Sequence, residues 1–142
     1  MTYHDTHHHL GVYAIILSAD RSEILLIEKA RGPYTGLQDL PGGSLEPLET
    51  LEETLVREVR EETGTTVTHR RQLQAVSTLF PYMQDGKPCC LRHVGVLYLA
   101  EIEGQINFAG DEEDAGRVVW QAISTLQADR VTPFVNTAIS LI

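Results

Sequence analysis

Cysteine is scarce in this chain: the only two, Cys89 and Cys90, stand side by side. Adjacent cysteines rarely bridge one another, so a disulfide-stapled scaffold is excluded, and free thiols in a reducing, cytoplasmic setting are expected. Long apolar runs are missing as well. None approaches the ~20 residues of a membrane span, and no signal-peptide pattern is seen, so a membrane is not an expected partner. Basic residues are few, 11 Lys and Arg against 20 Asp and Glu, for a net charge of −9. A chain of that sign is no electrostatic binder of duplex nucleic acid, and an anionic small molecule would have to arrive with divalent cations. Repeats and low-complexity segments are also absent. What remains is 142 residues, 42% hydrophobic, expected to form one domain over residues 1–142 with a core that needs no staples.

Seven of the acidic residues crowd between Glu46 and Glu62. Residues 50–63 have the pattern of an amphipathic helix: Leu51, Leu55 and Val59 form an apolar stripe with Val56 at its edge. Thr50 and Glu53 form a capping-box pair at its start, and Gly64 supplies the left-handed residue that commonly follows a last turn. Rotation by about 100° per residue places Glu58, Glu61 and Glu62 within about a third of the circumference in the last two turns. Like charges at that spacing repel one another and the negative end of the helix dipole. A solvated, salt-bridged face would explain an arbitrary Glu-rich helix, with Arg57 reaching Glu61 and Arg60 on the far side. Here Glu58 and Glu62 continue the apolar stripe, and carboxylates at the rim of a buried face call for a metal or a partner charge. Just before the helix, Leu40-Pro41-Gly42-Gly43 ends a short strand in paired glycines, which let the backbone approach a ligand closely.

The rest of the chain is of mixed α and β order. Residues 10–17 and 23–28 have strand patterns around a turn at 18–22, and 31–36 is a loop. Residues 67–79 suit one or two strands, 84–88 a turn, 91–102 an alternating strand and 118–120 a short one. A brief helix near 124–128 and a C-terminal helix from Pro133 complete the order.

Residues 43–65, GSLEPLETLEETLVREVREETGT, resemble the Nudix box, G-x5-E-x7-R-E-U-x-E-E-x-G-U, where U is apolar. Gly43, Glu49, Arg57, Glu58, Val59, Glu61, Glu62 and Gly64 all match, and Thr65 at the final U is the one departure. The resemblance implies an α+β fold, an α/β/α sandwich in which a mixed sheet carries the box loop and helix. It implies hydrolysis of a diphosphate bond in a nucleoside diphosphate linked to another group, with Mg2+, or Mn2+ in its place. By position, Glu58, Glu61 and Glu62 resemble metal ligands, joined by the carbonyl of Gly42. Arg57 would orient a box glutamate, with Gly43, Glu49 and Gly64 in support. A further catalytic carboxylate is expected from a late loop, where Glu112 and Glu113 are equal candidates.

The same resemblance leaves the substrate open. Among relatives, a proline past the box accompanies ADP-ribose hydrolysis and a tyrosine near that point accompanies dinucleoside polyphosphate hydrolysis; Pro81 and Tyr82 offer both. Nucleoside triphosphates also remain in play. Tyr34, Phe80 and Tyr82 are candidates for stacking a base, and Gln38 stands where many relatives have an aromatic. A small-molecule nucleotide is the expected partner, and a homodimer is compatible with the sequence. Outside the box, His7-His8-His9 reads as a frayed or tag-like stretch, His69 and His93 as isolated solvated or hydrogen-bonded residues, and Trp120 as a packing anchor. The reading from a different class is a catalytically idle nucleotide-binding or sensing module on the same fold. A third is an acidic protein that merely binds cations.

Overall fold

The structure, a computed structural model, describes residues 2–110 and 115–142. Among the described residues there are seven strands, the longer ones from alternating and continuous apolar segments: β1 (Asp5–Ile15), β2 (Glu23–Lys29), β3 (Gln38–Asp39), β4 (Gly42–Ser44), β5 (Thr66–Gln84), β6 (Lys87–Glu103) and β7 (Ala115–Ala122). Two helices accompany them, α1 (Leu51–Thr63) and α2 (Pro133–Leu141). The strands form a four-stranded sheet, β4-β1-β6-β5, and a three-stranded sheet, β3-β2-β7. In the first, β1 runs parallel to β6 and the other pairs are antiparallel, so the sheet is mixed. A bridge between Leu17 and Ile24 joins the two sheets where β1 leads into β2.

Strand alternation divides the core between two helices. Val12, Ala14, Ile16, Leu25, Ile27, Val96, Tyr98 and Ala100 face one way and pack with Leu55 and Val59 of α1. Tyr13, Ile15, Ile24, Leu26 and Leu97 face the other way and pack with Phe134, Val135 and Ala138 of α2. The fold is therefore α+β, with helices on both faces of the strands. Leu55 and Val59 are fully buried, which stabilises the docking of α1 by about 1.5–3 kcal/mol per side chain. The helix ends as its sequence predicts. Thr50 and Glu53 exchange both capping-box hydrogen bonds, and Gly64 closes the helix at φ 77° with its N–H donating to the Arg60 carbonyl.

Several boundaries differ from the sequence expectation, for reasons of pairing. His7, His8 and His9 are not a frayed end: they lie in β1 opposite Leu91, Arg92 and His93 of β6, so that backbone pairing orders a segment with no apolar pattern. Residues 67–79 belong to one strand that runs on to Gln84, because β5 stays paired with β6, through register shifts between Val67 and His69 and between Gln72 and Gln74, to a turn at Asp85-Gly86. The brief helix near 124–128 is instead two 3-10 turns, Ile123–Thr125 and Ala128–Arg130. Trp120 is half-buried against the α1-side core, in register with Leu25. Cys89 and Cys90 are free and buried.

Candidate functional site

The site is assembled where β4 passes the last two turns of α1. Gly42 adopts φ 150°, and a Cβ there would run into the Val12 carbonyl and Tyr13. Its N–H donates to Glu62 Oε1 at 2.7 Å. A Cβ on Gly43 would sit 2.8 Å from the Glu58 carboxylate. The two glycines thus let backbone approach two carboxylates at a distance any side chain would forbid.

Arg57 gathers the remaining acids. Its Nε and Nη2 donate to Glu49 Oε2 and Oε1 at 2.7 and 2.9 Å, a bidentate pair. Nη1 reaches Glu58 at 2.9 Å and Glu61 at 3.2 Å, and Nη2 also donates to the Ser44 carbonyl at 2.9 Å. Glu49 accepts in addition from the Glu46 N–H and the Thr54 hydroxyl. Arg57 and these donors hold the Glu49 carboxyl down at about 2. Glu58 goes the other way: burial raises it, although Arg57 pulls against the shift. Glu62, 8% exposed, is pushed well up by burial despite the Gly42 N–H. As anions these two are poorly solvated.

Gly42, Gly43, Glu58, Glu61 and Glu62 line one cavity of about 490 Å³. They offer oxygen donors only, the chemistry suited to a hard dication such as Mg2+. The donor set fits in kind, but among the described residues no three His, Cys, Asp or Glu side chains already stand as a closed metal cluster. Arg57 and Gly42 hold the carboxylates instead.

A second cavity, about 590 Å³, shares His9, Tyr13, Lys29, Arg31 and Gly32 with the first. His93, 2% exposed, lies in its wall. Tyr13 Oη lies 2.6 Å from His93 Nε2, Tyr34 Oη 2.8 Å from Nδ1, and Phe134 stacks on the ring. A neutral imidazole donates from one nitrogen and accepts at the other, so one tyrosine gives a proton to this relay and the other receives one. His93 is therefore hydrogen-bonded as one reading had it, but neither isolated nor solvated. Burial, with His9 and Lys29 nearby, lowers its pKa to about 3. The folded value lies below the ordinary 6.5, so its stabilisation is complete above pH 6.5 and is lost as pH falls from there towards 3. Melting temperature measured from pH 7 to pH 4 should therefore fall more steeply in the parent than in His93→Gln; equal slopes would contradict this account.

Of the stacking candidates, Tyr34 is 5% exposed and meets Phe80 edge-on with ring centroids 4.7 Å apart. Tyr34 and Tyr82 line the second cavity, whereas Phe80 packs behind Tyr34. Glu112 and Glu113 lie outside the described residues. Thr65 is fully buried with its hydroxyl 2.6 Å from that of Thr63, which accounts for a polar residue in a packing position. The sequence reading passed over Lys29, Tyr13 and Asp39. Lys29 ends an apolar strand and Asp39 precedes Leu40-Pro41, so a charge set in a buried segment was the available signal.

This mixed sheet with its glycine strand and acidic helix is that of the NUDIX domain: the family's model matches residues 7–140, and the chain belongs to that family. The solved MutT NUDIX hydrolase of Burkholderia pseudomallei has the same fold, with TM-score 0.77 and 25% identity over 95% of this chain and 98% of that one. The chain is 51% identical over 43 residues to the ADP-ribose pyrophosphatase of Methanocaldococcus jannaschii, 30% of this chain and 25% of the relative. It is 47% identical over 53 residues to the 8-oxo-dGDP phosphatase NUDT18 of Homo sapiens, 37% of this chain and 16% of that one. The matched stretches span a quarter or less of these two relatives' own length.

Proposed function

We propose that this protein is a divalent-cation-dependent pyrophosphohydrolase that cleaves the diphosphate of a nucleoside diphosphate joined to another group. The observation that carries the reading is the buried carboxylate of Glu62 beside the half-buried one of Glu58, both set against a glycine strand in the lining of one cavity that shares residues with a second. Lys29 and Arg31 line both cavities, at the place where a diphosphate between them would lie. Arg57 orients Glu58 and Glu61, and the Gly42 N–H orients Glu62. Glu58, Glu61, Glu62 and the Gly42 carbonyl would hold Mg2+ or Mn2+. When bound, that cation supplies neutralisation of phosphoryl charge and activation of a water. Glu112 and Glu113 keep their place as candidates for the further carboxylate. The free thiols of Cys89 and Cys90 support a cytoplasmic setting.

The substrates named for the two relatives make ADP-ribose and oxidised guanine nucleotides the first compounds to try. The test is a screen of these with dinucleoside polyphosphates, nucleotide sugars and (d)NTPs, with Mg2+ or Mn2+ and products resolved by chromatography. Cleavage of at least one compound, abolished by EDTA, is expected. Cation binding with no cleavage anywhere in the set would leave the idle nucleotide-binding module as the better reading.

A further inference from the structure

Asp39 is 3% exposed, in a strand of two residues, and neither place suits a carboxylate without a task. Its Oδ1 takes two donors, the Leu40 N–H at 2.8 Å and the Thr132 hydroxyl at 2.7 Å. Thr132 is the N-cap residue of α2, where a threonine hydroxyl ordinarily accepts from the first helical amides. It makes no such bond and is turned to Asp39 instead. The fold thus forgoes a cap to fix one carboxylate oxygen. The other oxygen, Oδ2, has no hydrogen-bond partner among the described residues, and no sealed side-chain N or O among them lacks one. Oδ2 must therefore open onto the larger cavity, which Asp39 lines.

The neighbours do not satisfy it. Both ring nitrogens of His93 are engaged by Tyr13 and Tyr34, and Lys29 lies where the two cavities meet. Burial raises the Asp39 carboxyl, although its two donors and the nearby Lys29 pull against the shift. Oδ2 is left as an acceptor with no hydrogen-bond donor among the described residues, which matches a group bearing N–H. With the diphosphate near Lys29 and Arg31, a placement that rests on the proposed function, the far end of the nucleotide reaches Asp39. We propose that Asp39 is a specificity-determining residue that accepts an N–H of the nucleobase on Oδ2, selecting bases that carry an amino group.

Asp39→Asn keeps a carbonyl oxygen for the Leu40 and Thr132 donors and turns an NH2 towards the cavity, converting acceptor to donor. Calorimetric titration of the full chain would use monophosphates differing by one amino group: GMP against IMP, and AMP against purine riboside monophosphate. The matching triphosphates are assayed for kcat/KM. The parent should favour at least one amino-bearing partner by about tenfold or more, and Asp39→Asn, its fold checked by melting, should lose or invert that preference. Should that variant not fold, Thr132→Val loosens the same carboxylate and should narrow the preference. Equal binding of both members of each pair by the parent, or an undiminished preference in folded Asp39→Asn, overturns the proposal. Preference in binding without hydrolysis would support Asp39's role and count against the catalytic reading alone; hydrolysis without preference would do the reverse.

Discussion

Glu62→Gln is expected to lower kcat on the order of a thousandfold and to raise the melting temperature in metal-free buffer. The two effects share one cause. Glu62 is 8% exposed, and burial pushes its carboxyl well above the ordinary value. A folded pKa above the unfolded one means that stability falls as pH rises above about 4.5, since the fold must then hold a poorly solvated anion. Glutamine keeps an oxygen for the Gly42 N–H, which Glu62 accepts at 2.7 Å, and removes the charge. The substituted protein should therefore be the more stable of the two without metal and the less stabilised by added Mg2+. Calorimetric melting with EDTA and with Mg2+, beside steady-state rates, reads both. Parent-like turnover, or equal stabilisation by Mg2+, would remove Glu62 from the proposed metal site.

Arg57→Lys is expected to destabilise the protein by about 1.5–3 kcal/mol and to reduce activity about ten- to a hundredfold. Arg57 is a planar fork that meets Glu49 with two nitrogens while Nη1 spans Glu58 and Glu61 and Nη2 takes the Ser44 carbonyl. Its side chain is 20% exposed and those of Glu49 and Glu58 are 16% exposed, so solvent screens the cluster only in part. One ammonium cannot serve four groups at those angles, and the acids left over would repel one another. Glu58 and Glu61 would then lose the geometry that Arg57 imposes. Urea unfolding together with kcat and KM would check this; unchanged stability would mean that the Arg57 network is no more than a surface salt bridge.

The box helix was legible because its signals are local. Capping box, apolar stripe and C-terminal glycine all act within a few residues, and each is found where the spacing placed it. The convergence of Arg57 with Glu49 was less visible, since the residues lie eight apart and meet only because the loop before α1 folds back. His93 and Tyr13 were missed for a stronger reason. They are 80 residues apart, joined by a parallel pairing of β1 with β6 that no local pattern encodes. The same pairing turned His7–His9 from an apparent tail into part of a cavity wall.

By itself the sequence determined an amphipathic helix with its late carboxylates gathered on one side, because residue spacing on a helix converts directly into side-chain direction. It also determined the family and the class of chemistry to seek, since the box residues are contiguous in the chain. Only the tertiary structure decided which oxygens are spoken for, which carboxylates are buried, and that Asp39 faces a cavity with one oxygen to spare. Those properties arise from contacts between β1, β3, β6 and α2, and hydrogen bonding over such separations depends on the register of packed elements rather than on local order.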